Sequence, residues 1–301
     1  MINIFMKKFS TLTTLLLAIC MLTACNNSKP SQPIVKEAQD SAYTPNVENE
    51  KEEAFSTKKL CVEIADSVKG EYGNEAIATS VKIDWPVSGD AKLQESVCKY
   101  ITHTLSMGYK TGDDPQKAIN AYVKAKQKEQ HANSKEFEGP ITGRDFSAEI
   151  TLTSNTPKYI TYIANTYIFL GGAHGSTFVE GATFSKKDGH KLSYDMFASN
   201  IKKANDKNHA KLMSMIVKDL KKYFEVKTDQ ELLEILLLNK ENPTIKDIPL
   251  PQMVPFFDKD GITFIYQQYE IAPYAAGMPQ VTIPFSKIKP LLNEAAQELV
   301  P

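Results

Sequence analysis

Two neighbouring stretches, FSAEITLTSN at 146–155 and YITYIANTYIFL at 159–170, decide the fold class. In the second, Tyr159, Thr161, Ile163, Asn165, Tyr167 and Phe169 alternate with Ile160, Tyr162, Ala164, Thr166, Ile168 and Leu170, so both sides carry large residues. A period of two is a strand, and bulk on both sides marks a strand covered on both faces. Thr156-Pro157 separates the stretches, and together they read as an antiparallel hairpin.

Working toward the N-terminus, Ile77, Thr79, Val81 and Ile83 share one side of a strand over Ala76 to Trp85, which Pro86 is expected to stop, and LCVEI at 60–64 is a further strand. Between these and the hairpin, Leu93, Val97, Tyr100, Ile101 and Leu105 recur at helical spacing. A second helix starts with Pro115 in its first turn and runs to Gln130; its many lysines and few apolar residues predict a surface position. Toward the C-terminus, Thr177 to Ser185 and His190 to Leu192 form a hairpin around Lys187-Asp188-Gly189, and Ser193 or Asp195 caps a short turn through Phe197. Leu212, Met215, Ile216, Leu220 and Phe224 mark a helix over 206–224, and Thr228 with Glu231 forms a capping box for the next. Strands are expected at Ile262 to Glu270 and Val281 to Phe285, with a last helix from Ser286 to Leu299. Hairpins and clustered helices predict an α+β fold, a mainly antiparallel sheet packed with helices in two intimately associated modules, rather than a doubly wound parallel sheet.

The chain has 301 residues, 42% hydrophobic and 24% charged, which excludes collagen-like and globally disordered classes. With 35 Lys and Arg against 36 Asp and Glu, no basic field calls for nucleic acid. At the front, Lys7 and Lys8 precede an apolar run from Leu12 to Leu22, shorter than the ~20 residues a bilayer span needs. Residues 1–24 read as a secretory signal. Leu22-Thr23-Ala24-Cys25 resembles the bacterial lipobox, which implies a lipid on Cys25 and a membrane-anchored lipoprotein in the cell envelope, facing outside the cytoplasm. Residues 25–57, with Pro30, Pro33, Pro45 and an acidic cluster at Glu48 to Glu53, cannot bury enough apolar surface to fold and are expected to be a disordered tether.

Cys20 leaves with the signal, so the exported chain keeps Cys61 and Cys98 beyond the anchor. In an oxidising compartment they form one disulfide, or they are two separately buried thiols. Nothing beside either residue supplies an obvious thiolate-stabilising base or cation, so neither is expected to be a catalytic nucleophile. The histidines His103, His131, His174, His190 and His209 are scattered, with no HExxH and no CxxC, so no metal or other cofactor is expected. There is no GxSxG elbow, no phosphate-binding GxxxxGK and no GxGxxG, and the chain is expected to bind rather than catalyse. Two segments concentrate unusual residues. Gly171-Gly172-Ala173-His174-Gly175 sits between two strands, and YEIAPYAAGMPQVTIPFS at 269–286 carries Tyr274 and Gly277. Each is either a turn with a packed side chain or a binding loop whose glycines expose backbone N–H groups.

The order Tyr167, GGAHG, Asp188-Gly189, Leu192, Asp195-Met196-Phe197 and then GITFIYQQYEIAPYAAGMPQVTIPFSKIKPLL at 261–292 resembles the extracytoplasmic domain of the RsiV-like anti-sigma factors. A related module accompanies the deacetylase domain of PdaC-like proteins. The resemblance implies a PdaC-like module at 58–158 and an RsiV-like module at 159–301. It further implies a binding domain that in the anti-sigma factors receives lysozyme, so the expected partner is a lysozyme-type muramidase or peptidoglycan. The chain lacks the histidine-rich metal motifs of the deacetylase and a span that would link it to a sigma factor. The expected function is a non-catalytic, lipid-anchored envelope protein that binds a protein or cell-wall ligand, in its sharper form a lysozyme-binding, sensing or inhibitory lipoprotein. The competing class is a cell-wall glycan hydrolase, which requires two carboxylates facing each other across a cleft.

Overall fold

The hairpin at 146–170 lies inside a five-stranded sheet. The computed structural model describes residues 54–70, 73–134 and 143–301, all within the unit Glu50–Pro301. The expected leader, Cys25 and the expected tether as far as residue 53 lie outside the described residues. β1 (Ser56–Gly70) and β2 (Gly73–Ser88) pair antiparallel along their length. The chain then passes through α1 (Ala91–Leu105) and α2 (Pro115–Ser134) to β3 (Arg144–Asn155), which lies parallel to β2 with Ile83 opposite Ile150. β4 (Tyr159–Phe169) and β5 (Ser176–Ser185) follow antiparallel, giving the order β1-β2-β3-β4-β5. The sheet is thus mainly antiparallel, and its one parallel pair is the product of the helical crossover.

One face of the sheet carries both helices. Asp90 caps α1 by accepting from the Leu93 N–H, and Leu93, Val97, Tyr100, Ile101 and Leu105 are buried against Val81, Ile83, Ile160, Tyr162 and Phe184. α2 corrects the sequence reading, because it is a packed helix rather than a surface one. Ile119 and Val123 are buried, and so are Gln127 and Gln130. The Thr79 hydroxyl donates to Gln127 Oε1 at 2.6 Å, and Gln130 Nε2 donates to the Ala78 carbonyl at 2.8 Å. The glutamine amides let a lysine-rich helix bury a polar stripe by bonding to β2, although Gln130 Oε1 itself has no hydrogen-bond partner among the described residues.

Among the described residues, the other face carries its second core over β4 and β5. α3 (Lys207–Tyr223), α4 (Asp229–Ile235), β6 (Phe256–Phe257), β7 (Gly261–Ile265), β8 (Gln280–Pro284), α5 (Phe285–Ile288) and α6 (Glu294–Leu299) build a second core around a three-stranded sheet. Three contacts lock it to the first sheet. The Thr183 hydroxyl accepts from the Phe257 N–H at 2.8 Å, Tyr159 packs edge-on against Phe257, and Gly181 leaves room for the Phe256 ring, which a Cβ would approach to 2.0 Å. The expected module boundary at 158/159 falls in the β3–β4 turn, and β4 serves both cores: Ile160 and Tyr162 face the helices, Tyr159 the second sheet.

Several boundaries move. Phe55 is buried and β1 begins at Ser56, ahead of the expected end of the tether at 57. β2 continues through Pro86 because β1 shifts register at Ser56/Thr57, opposite that proline. The strand expected to reach Glu270 stops at Ile265. The last helix is split around Pro290, with Asn293 capping α6 through the Ala296 N–H.

The expected states of Cys61 and Cys98 are corrected. Both thiols are free, with Cys61 exposed and Cys98 half-buried. Leu60 and Val62 turn toward the helices, so strand alternation turns Cys61 to the opposite face from α1, where Cys98 sits. Burial, with the charge of Glu95 second, pushes the Cys98 thiol up to about 11.

Candidate functional site

The connection from β4 to β5 carries the glycine-rich motif. Gly171 and Gly172 take φ of 87° and 107°, in the region that favours glycine. Gly172 and Gly175 do different work. A Cβ at Gly172 would meet nothing within 4 Å, whereas one at Gly175 would lie 2.3 Å from the Tyr167 ring. Gly175 therefore lets the loop pack on β4, while Gly172 is free on its outer side.

His174 joins this loop to the second one. Its Nδ1 lies 3.0 Å from the Gly175 carbonyl, which only accepts, so Nδ1 carries a hydrogen and, in the neutral ring, Nε2 is an acceptor. The Tyr269 hydroxyl, 3.2 Å away, donates to that Nε2. The imidazole also stacks on Tyr274, with ring centres 3.8 Å apart and 21° between planes. Tyr269 and Tyr274 are 5.8 Å apart, so the three rings form one cluster. Tyr269 is 56% exposed and holds φ of 64°, a left-handed conformation that a bulky residue adopts at a cost.

The second loop is fixed from several sides. Past β7, Gln267 and Gln268 take the place of a strand against β5. Gln267 accepts from the Val179 N–H at 3.1 Å and donates to its carbonyl at 2.9 Å, and Gln268 accepts from the Thr177 N–H at 2.9 Å. Glu270 accepts from the N–H groups of Gln267 and Gln252, each at 2.7 Å. Tyr223 on α3 donates to the Ala276 carbonyl at 2.8 Å, and Gly277 at φ 71° turns the chain back toward β8. The rings of Tyr269 and Tyr274 thus stand on a braced loop rather than a loose one.

Sequence reading singled out Gly171, Gly172, His174, Gly175, Tyr274 and Gly277, and of these the structure brings His174 against Tyr274. It missed Tyr269, Gln267 and Gln268, which an extended strand to Glu270 had absorbed. Tyr167 is raised above the usual phenol range by burial, with Asp145 and Tyr274 adding to it. Asp145 on β3 is itself held above the usual carboxylate range, first by burial and then by the charge of Glu63.

Two cavities lie elsewhere. A cleft of about 670 Å³ sits at the opposite end of β4 and β5, lined by Phe55, Asp90, Lys158, Lys186, Lys187 and Glu298. Its carboxylates have structural partners: Asp90 caps α1, and Glu298 lies 3.4 Å from Lys187. The second, about 380 Å³, includes His209 and Asp247, whose carboxyl is pulled down to about 2 by Lys240 and then by Thr244. Among the described residues no group of three His, Cys, Asp or Glu could hold a metal ion, and no helix is long and apolar enough to cross a membrane.

Comparison with known proteins divides the chain at this cluster. The model of a family of unknown function, DUF3298, matches residues 195–286, and the model of deacetylase PdaC matches residues 73–177. Solved structures share the fold. A member of the DUF3298 family from Bacteroides fragilis is 22% identical, covers 81% of this chain and 97% of its own, and gives a TM-score of 0.63. A DUF3298 family protein from Pseudomonas aeruginosa is 13% identical over 80% and 96% of the two chains, with a TM-score of 0.56. None of the curated proteins is a match. His174 comes from the PdaC-matched region and Tyr269 and Tyr274 from the DUF3298-matched one, so the ring cluster is one of the places where the two regions meet.

Proposed function

We propose that this chain is a non-catalytic binding module of the bacterial cell envelope, held at the membrane by a lipid on Cys25, and that the His174–Tyr269–Tyr274 cluster is the surface that meets its ligand. The observation that carries the reading is Tyr269. An exposed tyrosine held at φ 64°, donating to an exposed histidine that stacks on a second tyrosine, costs the fold backbone strain and returns little burial. Braced, partly exposed tyrosines are typical anchors of a binding surface, since they offer large contact area with little side-chain freedom to lose. Gly172, open on its outer side, leaves main-chain groups accessible beside the rings. The ligand is a protein or cell-wall component, and the sharper form of the reading is a lysozyme-type muramidase.

The test is a titration of the full chain, purified in mild detergent, with a lysozyme-type muramidase and separately with purified peptidoglycan. Saturable binding of either at micromolar concentration, lost in Tyr274→Ala at unchanged melting temperature, supports the surface. Binding of neither, or binding that Tyr274→Ala leaves intact, removes it. Cleavage of the peptidoglycan would replace the reading with a hydrolase.

A further inference from the structure

We infer that a second copy of this chain pairs along β1, in an antiparallel register that sets Cys61 opposite the partner copy's Cys61. The observation is an edge left open. β1 is fifteen residues long, pairs only with β2 among the described residues, and so presents a row of backbone N–H and C=O groups on its outer side. Val62 and Ile64 on that edge remain only half-buried. Two-fold pairing about Cys61 places Leu60 opposite Val62 and Lys59 opposite Glu63 of the other copy, each contact made twice. Lys59 and Glu63 are both exposed and neither is in an ion pair among the described residues, so they are free to meet. Centring the pair on Glu63 would instead oppose like charges, and centring it on Val62 would draw Lys58 toward Asp66, already bonded to Gln127 and His131.

A single edge contact is small for a stable dimer, and the thiols compensate. Directly opposed residues on antiparallel strands lie within disulfide reach. An oxidised disulfide reagent, glutathione disulfide in the test or an oxidised dithiol protein in an exporting compartment, is attacked by one Cys61 thiolate to give a mixed disulfide and a free thiol. The second Cys61 displaces the remaining thiol, so one intermolecular S–S bond forms, the reagent's S–S bond is broken, and the two protons from the Cys61 thiols end on the reagent, which leaves as two thiols. The pairing does not depend on the ligand surface proposed above, which lies on other strands.

The test treats the full chain with glutathione disulfide and resolves it without reductant. The expected result is a covalent dimer that disappears in Cys61→Ser, persists in Cys98→Ser, and falls about fivefold in Lys59→Glu or Glu63→Lys while the double swap restores it. Melting temperatures of these surface variants show that each is folded. Absence of a dimer, a dimer that survives Cys61→Ser, or charge swaps without effect overturns the proposal. Muramidase binding by a chain that gives no dimer would sink this inference alone.

Discussion

The two ends of the β4–β5 hairpin are built by opposite rules. At the Tyr159–Ser185 end the second core is nailed down: Thr183 holds the Phe257 N–H, Tyr159 packs on Phe257, and Lys158 Nζ donates to the Glu298 carbonyl at 2.6 Å. At the Phe169–Ser176 end, roughly 30 Å away at the rise of a strand, the same two regions meet through glutamine side chains and three aromatic rings that stay partly in solvent. The first end spends its residues on burial. The second spends backbone strain on holding rings outward, which is the economy of a surface kept for something else.

Substitutions should separate the two ends. The largest effect is expected at the junction itself. Gly181→Val would drive a side chain into Phe256 from the middle of a strand and should cost about 3 kcal/mol or more, seen as early chemical unfolding. Thr183→Val keeps the volume but strands the buried Phe257 N–H, and about 2 kcal/mol should be lost. At the ring end Gly172→Ala meets no neighbour and should cost only about 1 kcal/mol, through its positive φ. A fall comparable to that of Gly181→Val would show the outer loop to be as structural as the junction.

The smallest effect is a matter of sign. Asp145, beside Tyr167 at the ring end, binds its proton more tightly folded than unfolded, so its contribution favours the fold at low pH and is lost as pH rises through and above the ordinary value of 3.8. Asp188, in the turn after β5, is held below that value by the His190 N–H, so its stabilisation is present above 3.8 and lost as pH falls below it. Asp145→Asn should therefore raise the melting temperature slightly at pH 7, and Asp188→Asn should lower it. Shifts in the same direction at pH 7 would contradict the assignment.

Much of this frame was legible in the residues. The period-two run at Tyr159 announced a strand covered on both faces, and the Thr228–Glu231 capping box is present as read, with the Glu231 N–H on the Thr228 hydroxyl at 3.2 Å. What could not be read depended on partners distant in sequence. Gln127 and Gln130 look like solvated residues until Thr79 and Ala78 supply their hydrogen bonds. The parallel β2–β3 pair follows from the path of two helices, which no local pattern encodes. At the site, glycines and a histidine stood out by type, but Tyr269 did not: the run GITFIYQQYE reads as one strand, and only Gln267 and Gln268 turning to bond β5 show why it ends early.

The most direct test of the central claim is Tyr269→Gly, followed by thermal unfolding and by ligand titration on the same sample. Glycine accepts φ of 64° without strain, so the account predicts a melting temperature within about 2 °C of the parent or above it, together with loss of muramidase or peptidoglycan binding. A clear drop in melting temperature with binding intact would mean that Tyr269 serves the fold, and would contradict the claim that this cluster is a ligand surface.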